Sequence, residues 1–161
     1  MFRIGEILDL AVRIEQNGEK TYRAARKRFA GEDLRELLSW MAAEEARHAA
    51  WFAELKLRLA EGGGNPFLEE MTRKVLDDLL SGRSFSLEEV DFAAIEDPAR
   101  LIAVFIEFER DTVLFYEILS SFVEEGETLR HLAAIIAEEK RHIERLEEVL
   151  GELAPAAPAG G

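Results

Sequence analysis

The feature that most constrains this chain is a pattern of glutamate, tyrosine and histidine that occurs twice. In the first half, Glu15 precedes Tyr22 by seven residues, and Glu45 precedes His48 by three. A shift of 94 residues places these four on residues of the same type, which are Glu109, Tyr116, Glu139 and His142. Both tyrosines and two of the three histidines in the chain lie in this pattern. The shared offset indicates two copies of one structural unit.

Apolar residues recur at helical spacing along most of the chain and predict four long helices, at about 4–29, 34–60, 98–123 and 127–153. Asp33 and Asp97 are the predicted N-caps of the second and third helices, and Pro98 suits a first turn. The segment GGGNP at 62–66 ends the second helix. One short helix is expected near 66–82, and the capping box SLEE at 86–89 predicts another.

These elements predict an all-α fold, a ferritin-like four-helix bundle in which two helical hairpins are joined by a long, partly helical crossover at 62–96. A main helix of about 25 residues would be about 38 Å long, which is a usual length for such bundles. The bundle domain is predicted to span residues 1–153. The last residues, APAAPAGG at 154–161, are predicted to form a disordered tail.

Composition excludes several classes of function. The net charge of −13 argues against nucleic-acid binding, because the phosphate backbone repels an acidic protein. No apolar run approaches the roughly 20 residues that a membrane span needs, and the N-terminus does not have the pattern of a signal peptide. The chain has no cysteine, which excludes disulfides and thiolate metal ligands. We therefore expect a cytoplasmic protein without membrane contacts.

The spacing of the doubled pattern predicts a metal site. Residues three apart lie on one face of a helix, so a glutamate and a histidine at this spacing can bind the same ion. Four carboxylates inside a bundle would repel each other unless cations balanced them, and two divalent ions supply the required charge. Carboxylates with imidazoles suit iron or manganese, and zinc less specifically. The predicted ligands are Glu15, Glu45, His48, Glu109, Glu139 and His142.

Other interpretations of these residues remain open at this point. Tyr22 and Tyr116 could fill core space with a hydrogen-bonded hydroxyl. Glu44 and Glu138 lie four residues before the histidines and could be the ligands instead, but we interpret them as solvated, near Arg47 and Arg141. We interpret His131 as a surface residue. The large aromatic side chains are predicted to be core residues rather than a cofactor site: Trp40, Trp51, Phe52, Phe105, Phe108, Phe115 and Phe122.

The repeated E…Y…EExRH pattern resembles the rubrerythrin-type branch of the ferritin-like superfamily. The segments IEQNGEKTYRAA and EFERDTVLFYEIL resemble its first and third helices, and the resemblance covers residues 5–150. It implies that Glu45 and Glu139 bridge two metals, that Glu15 and Glu109 each cap one metal, and that His48 and His142 each bind one. Tyr22 and Tyr116 would hydrogen-bond ligand carboxylates and orient them.

Two departures from the family pattern affect the expected function. Full-length rubrerythrins carry a rubredoxin domain with four cysteines, which this chain lacks, so electrons would come from a separate donor protein. Rubrerythrins also carry an extra glutamate one turn after the third-helix ligand. Here that position is Thr112, and its repeat counterpart is Gly18. Two small residues are expected to leave space over the metals for the oxidant.

The resemblance implies a non-haem di-iron redox protein with two iron ions per chain, or manganese in a catalase-like variant. Its expected activity is that of an oxidoreductase, a peroxidase or ferroxidase that oxidises Fe(II) while reducing hydrogen peroxide or O2. One alternative is an iron-binding protein for storage or transfer, and another is a helical module whose metal is structural. A homodimer is also expected by analogy, in which the 67–96 segment could exchange between subunits.

Overall fold

The computed structural model describes residues 4–60, 70, 74, 90–121, 123–124 and 126–153. Four long helices lie in these ranges: α1 Ile4–Arg26, α2 Glu32–Ala60, α3 Pro98–Ser120 and α4 Gly126–Leu153. A short 3₁₀ turn, Phe92–Ala94, precedes α3. The described part of the chain contains no strand, so the predicted all-α class is confirmed. The predicted short helices near 66–82 and after 86, and the tail 154–161, lie outside the described residues.

The helix ends show which capping predictions are right. Asp97 caps α3, because its carboxylate accepts a hydrogen bond of 3.1 Å from the backbone N–H of Ala99. The predicted cap at Asp33 is wrong: α2 begins at Glu32, and the carbonyl of Gly31 already accepts from the N–H of Arg35. Asp33 therefore lies in the first turn, where its charge still favours the positive end of the helix dipole.

Ion pairs between helices show that neighbouring helices run antiparallel. Lys56, near the end of α2, lies 2.6 Å from Asp9, near the start of α1. In the second hairpin, Arg110 on α3 lies 2.6 Å from Glu147 on α4. These pairs are largely exposed and contribute little stability, but they fix the relative direction of the helices. The α1–α2 and α3–α4 hairpins meet along α2 and α4.

The positions of these helix ends require the crossover to connect opposite ends of the bundle. The end of α2 lies beside the start of α1 through the Lys56–Asp9 pair. The residues that precede α3 lie beside the other end of α1, where Arg28 donates to the carbonyls of Phe92, at 2.6 Å, and Ile95. This is the ferritin-like connection rather than a simple up-down-up-down bundle.

The core runs along the bundle axis and draws on all four helices, with side chains such as Leu8, Leu38, Phe105 and Leu146 almost fully buried. Phe52, Phe108 and Phe115 are also buried, as predicted. One prediction is wrong, because Trp40 is 39% exposed. Trp51 is only partly buried, and the side chain of Phe122 is outside the described set. Among the described helices, none combines the length and apolarity that crossing a membrane requires.

Candidate metal centre

The structure brings the six predicted ligands together inside the bundle. Each lies near the middle of its helix, and the helical spacing turns it toward the axis. All six side chains are at most 2% exposed. Ionisable side chains are almost never fully buried unless they are paired, so six of them in one place require a charge balance that the apolar core does not supply. They are Glu15, Glu45, His48, Glu109, Glu139 and His142.

The ligand atoms form two overlapping groups. In one group, Glu15, Glu45, His48 and Glu139 each offer an atom within 4.8 Å of the others. In the second, Glu45 and Glu139 occur again with Glu109 and His142. Two groups that share two carboxylates are the arrangement of a dinuclear centre. The shared residues are the two that were predicted to bridge.

Several atoms of this cluster have no hydrogen-bond partner within the protein. They are one oxygen each of Glu15, Glu109 and Glu139, both oxygens of Glu45, and Nδ1 of His142. Nδ1 of His142 does lie 3.1 Å from oxygens of both Glu45 and Glu139, but without hydrogen-bond geometry. A buried polar atom without a partner is costly. Divalent cations would satisfy all of these atoms at once, so the donor set fits two metal ions.

Each imidazole presents Nδ1 to the carboxylates. Nδ1 of His48 lies 2.8 Å from Glu139 and 3.6 Å from Glu15. Burial alone would lower the pKa of His48, but the contacts of its imidazole with the carboxylates of Glu139 and Glu15 outweigh burial and raise the pKa to about 11. For His142, burial is likewise outweighed, mainly by the nearby carboxylates of Glu109 and Glu139, and the pKa rises to about 12. Without metal, protons on these imidazoles therefore balance part of the carboxylate charge.

The other imidazole nitrogen of each histidine contacts a glutamate that we had interpreted as solvated. Nε2 of His142 lies 2.5 Å from a carboxylate oxygen of Glu44, and Nε2 of His48 lies 2.5 Å from one of Glu138. The solvated interpretation is wrong for both, because Glu44 is 9% exposed and the side chain of Glu138 is 19% exposed. A carboxylate at Nε2 holds the proton there and leaves Nδ1 free to bind metal.

These outer contacts cross between the two hairpins. The carboxylate of Glu44 on α2 contacts Nε2 of His142 on α4, and the carboxylate of Glu138 on α4 contacts Nε2 of His48 on α2. Arg47 lies 3.4 Å from both outer carboxylates and offsets part of their charge. The doubled EE dipeptide was the available signal in the sequence, but an expectation based on one helix at a time could not reveal a partner on the opposite hairpin.

The tyrosines also cross between the repeats. Tyr22 donates to Oε1 of Glu109 at 2.5 Å, and Tyr116 donates to Oε1 of Glu15 at 2.5 Å. Burial, together with the nearby carboxylate charges, raises the pKa of both hydroxyls well above the usual value. Each tyrosine therefore stays protonated and keeps one oxygen of its glutamate in place. Each motif supplies the hydroxyl that orients the first glutamate of the other motif.

In the metal-free protein, two of the carboxyl groups, those of Glu45 and Glu109, are difficult to ionise. Burial and the charges of Glu109 and Glu139 raise the pKa of Glu45 well above its usual value. Burial and the charge of Glu139 raise the pKa of Glu109 to about 8, although His142 opposes the shift. Cations at the centre would reverse both effects, because a positive charge favours the ionised form.

The expected open space at Gly18 is absent. A Cβ at this position would lie 3.3 Å from Cε1 of Phe108 and 3.4 Å from Oε2 of Glu45, so the phenyl ring and the carboxylate already occupy that side. The repeat counterpart, Thr112, is buried and donates its hydroxyl to the carbonyl of Phe108 at 2.8 Å. Neither position supplies a further carboxylate, and Gly18 instead permits a close approach of Phe108 and Glu45.

Comparisons with known proteins support this geometry. The family model described as Rubrerythrin matches residues 6–78, which include Glu15, Glu45 and His48. A crystal structure from Thermotoga maritima, described as a ferritin-like diiron-carboxylate protein, matches with a TM-score of 0.68 over 95% of this chain and 97% of that one. Its sequence identity of 20% supports the fold alone. No curated protein sequence gives a significant match.

One comparison concerns the sequence of part of the chain, and the other concerns the fold of nearly all of it. The family model recognises the sequence of the first hairpin, and the structural match extends the fold across both hairpins. The second hairpin repeats the motif of the first at a constant offset. The chain therefore has the ferritin-like four-helix fold, and its first hairpin matches the rubrerythrin family model.

Proposed function

We propose that the protein is a non-haem di-iron redox protein that oxidises Fe(II) while reducing hydrogen peroxide or O2. The observation that carries the proposal is the pair of overlapping four-residue groups, whose buried carboxylates include oxygen atoms without a hydrogen-bond partner in the protein. The donor set of four carboxylates and two imidazoles suits iron, and manganese equally by ligand type. The rubrerythrin family match favours iron.

The chain's own residues would bind and orient two ions. Glu45 and Glu139 would bridge, since both groups contain them, while Glu15 with His48 and Glu109 with His142 would complete one ion each. Tyr22 and Tyr116 would fix the terminal carboxylates, and Glu44 and Glu138 would fix the imidazoles. These outer hydrogen bonds determine which carboxylate oxygen and which imidazole nitrogen face the ions.

The bound ions would supply the electrons and polarise the oxidant. Reduction of one hydrogen peroxide molecule to two water molecules takes two electrons and two protons; two bound ferrous ions would supply the electrons, and solvent would supply the protons. The buried position of the ligands excludes bulk water from most of the centre. Since the chain has no cysteine for a rubredoxin-type iron site, we propose that a separate protein returns the electrons.

Stopped-flow absorbance of the reduced, iron-loaded protein tests the proposal. The protein is mixed in turn with equimolar hydrogen peroxide and with O2, and ferric absorbance is followed. We expect oxidation with one peroxide consumed per two iron ions, and faster oxidation by peroxide than by O2. Faster reaction with O2 would favour a ferroxidase. No reaction with either oxidant would contradict the redox proposal and favour a structural metal.

A further inference from the structure

We propose that a groove beside Trp40 docks a one-electron carrier protein with a basic face, and that Trp40 provides the electron path from this groove to the metal centre. The inference rests on the proposed redox function, because it assigns the surface through which electrons reach the centre. It concerns one end of the bundle, where the start of α2 meets the start of α3 and the end of α4.

The groove has a volume of about 630 Å³, and several of its lining residues are apolar. Trp40 and Leu153 are each 39% exposed there, which is unusual for large apolar side chains. Exposed apolar surface with polar edges is typical of protein interaction sites. Tryptophan is also enriched among the residues that dominate binding energy in such sites. The other apolar lining residues are Phe29, Leu34, Leu37, Pro98 and Val149.

The charges that line the groove select a basic partner. Its edge carries four carboxylates and one guanidinium: Asp33, Glu36, Glu148, Glu152 and Arg145. Arg145 lies 3.3 Å from Glu148, so the local excess of negative charge comes from the other carboxylates. The chain as a whole has a net charge of −13, which repels acidic carriers at longer range. Complementary charge steers association and excludes partners of like charge.

Trp40 connects this groove to the candidate metal centre. Its ring centroid lies 5.1 Å from that of His142, with the planes at 81°. His142 is fully buried, and its Nδ1 faces the carboxylates of the centre. Trp40 is therefore exposed to a partner on one side and contacts a predicted ligand on the other.

Within the described residues, only one of the two repeats has this aromatic contact with its histidine. The residue that corresponds to Trp40 at the offset of 94 is Ala134, which is exposed and has no ring. His48, the counterpart of His142, thus has no equivalent aromatic neighbour from that position. In an otherwise nearly symmetric centre, the difference directs electrons to the ion held by His142.

The electron balance is simple. Each carrier molecule loses one electron and is oxidised, and two successive carriers reduce one diferric pair to the diferrous state. No bond is formed or broken in this step, and Trp40 acts as a conducting contact rather than as a reactant.

Docking is tested with cytochrome c, a basic one-electron carrier, as the probe, by calorimetry at low and high salt. We expect binding at low salt that weakens as salt is added.

The double variant Glu36→Lys with Glu148→Lys should weaken binding of cytochrome c about tenfold, equivalent to about 1.4 kcal/mol. The control Glu54→Lys with Glu124→Lys has the same net charge, places its lysines at the opposite end of the bundle, and should bind more tightly than the groove variant. Equal weakening in both variants, or no binding by the native protein, would overturn the docking proposal. So would displacement of the probe by a peptide of residues 154–161 or by self-association of the chain.

The electron path is tested by reducing the ferric protein with hexaammineruthenium(II), a small cation, and following the loss of ferric absorbance. Trp40→Leu should slow this reaction several-fold, whereas Trp51→Leu, which changes the second tryptophan of α2, should leave it near the native rate. Trp40→Phe, which keeps a ring against His142, should retain part of the rate. Equal rates in Trp40→Leu and native protein would overturn the path. The oxidation of reduced protein by peroxide is measured separately, so failure of the proposed function would be distinguishable.

Discussion

At the scale of single residues, the candidate centre depends on contacts that cross between the two hairpins. The sequence predicted the six ligands because helical spacing turns a glutamate and a histidine toward one point. It did not predict the roles of Glu44 and Glu138, because their partners lie 98 and 90 positions away, respectively, on another helix. Spacing along one helix carries no information about which side chain lies opposite.

The outer glutamates lead to a prediction about metal affinity. Glu44→Gln and Glu138→Gln keep the side-chain size but remove the charge beside Nε2 of a histidine. We expect each variant to bind Co(II), used as a spectroscopic probe, about 10- to 100-fold more weakly. Glu54→Gln, on the exposed surface of α2, is the matched control. Native affinity in both variants would show that these glutamates do not support the ligands.

Gly18 leads to a prediction that differs from the one based on sequence alone. If Gly18 left space for the oxidant, as the sequence suggests, Gly18→Leu would slow oxidation without abolishing metal binding. Because a Cβ there already touches Phe108 and Glu45, we now expect the leucine to displace Glu45 and to weaken binding of metal as well. Gly151→Leu is the control, since nothing lies within 4 Å of a Cβ at that helical position. Calorimetric titration with Co(II) measures both, and unchanged affinity in Gly18→Leu would contradict the close packing.

At the scale of helices, periodicity located all four long elements and misplaced some of their ends. The apolar pattern determines which face is buried, whereas the end of a helix depends on the residue that satisfies its free backbone groups. Asp97 was recognisable as an N-cap because proline follows it, and the structure confirms this cap. Before α2, Gly31 provides the first carbonyl, although Asp33 has the more typical capping side chain. Trp40 was expected in the core because its size and spacing suggest burial, but it lines a surface groove and is partly exposed.

Capping leads to a prediction about stability. Asp97→Ala removes the acceptor for the N–H of Ala99 and should lower the free energy of unfolding by about 1 kcal/mol. Asp33→Ala removes a charge from the first turn of α2 but no cap, so we expect a smaller loss. Urea unfolding of the metal-free protein measures both. An equal or larger loss in Asp33→Ala would contradict the helix starts described here.

At the scale of the whole molecule, the centre couples stability to pH and to metal. In metal-free protein, the pKa of His48 is raised to about 11, that of His142 to about 12 and that of Glu109 to about 8. The folded state therefore binds more protons than the unfolded state between each usual pKa and its raised value. Stability from these groups is complete below the usual values and is lost as pH rises through those windows.

Metal reverses this dependence. Ions compete with protons for the same atoms, so their binding strengthens as pH rises. We expect the difference in melting temperature between metal-loaded and metal-free protein to be small at pH 5.5 and to increase toward pH 8. Scanning calorimetry at several pH values, with Co(II) and with a chelator, measures it. A difference that is constant with pH would show that the buried carboxylates and imidazoles are not the metal ligands.

The fold also shows the limit of what a repeat can predict. The doubled motif indicated two hairpins and a shared centre, and both are present. The differences between the halves, such as Trp40 against Ala134 and Gly18 against Thr112, determine on which side the centre meets the surface and how tightly it is packed. Those consequences arise from packing among four helices and required the three-dimensional arrangement.

The central claim is that one chain holds two metal ions in the groups that share Glu45 and Glu139. The most direct measurement is anaerobic calorimetric titration of the metal-free protein with Fe(II), repeated on Glu45→Ala, Glu139→Ala and the surface control Glu54→Ala. We expect saturation at two ions per chain in the native protein and in Glu54→Ala, with binding of both ions weakened in each bridging variant. Saturation at one ion per chain, or native binding in both bridging variants, would contradict this claim.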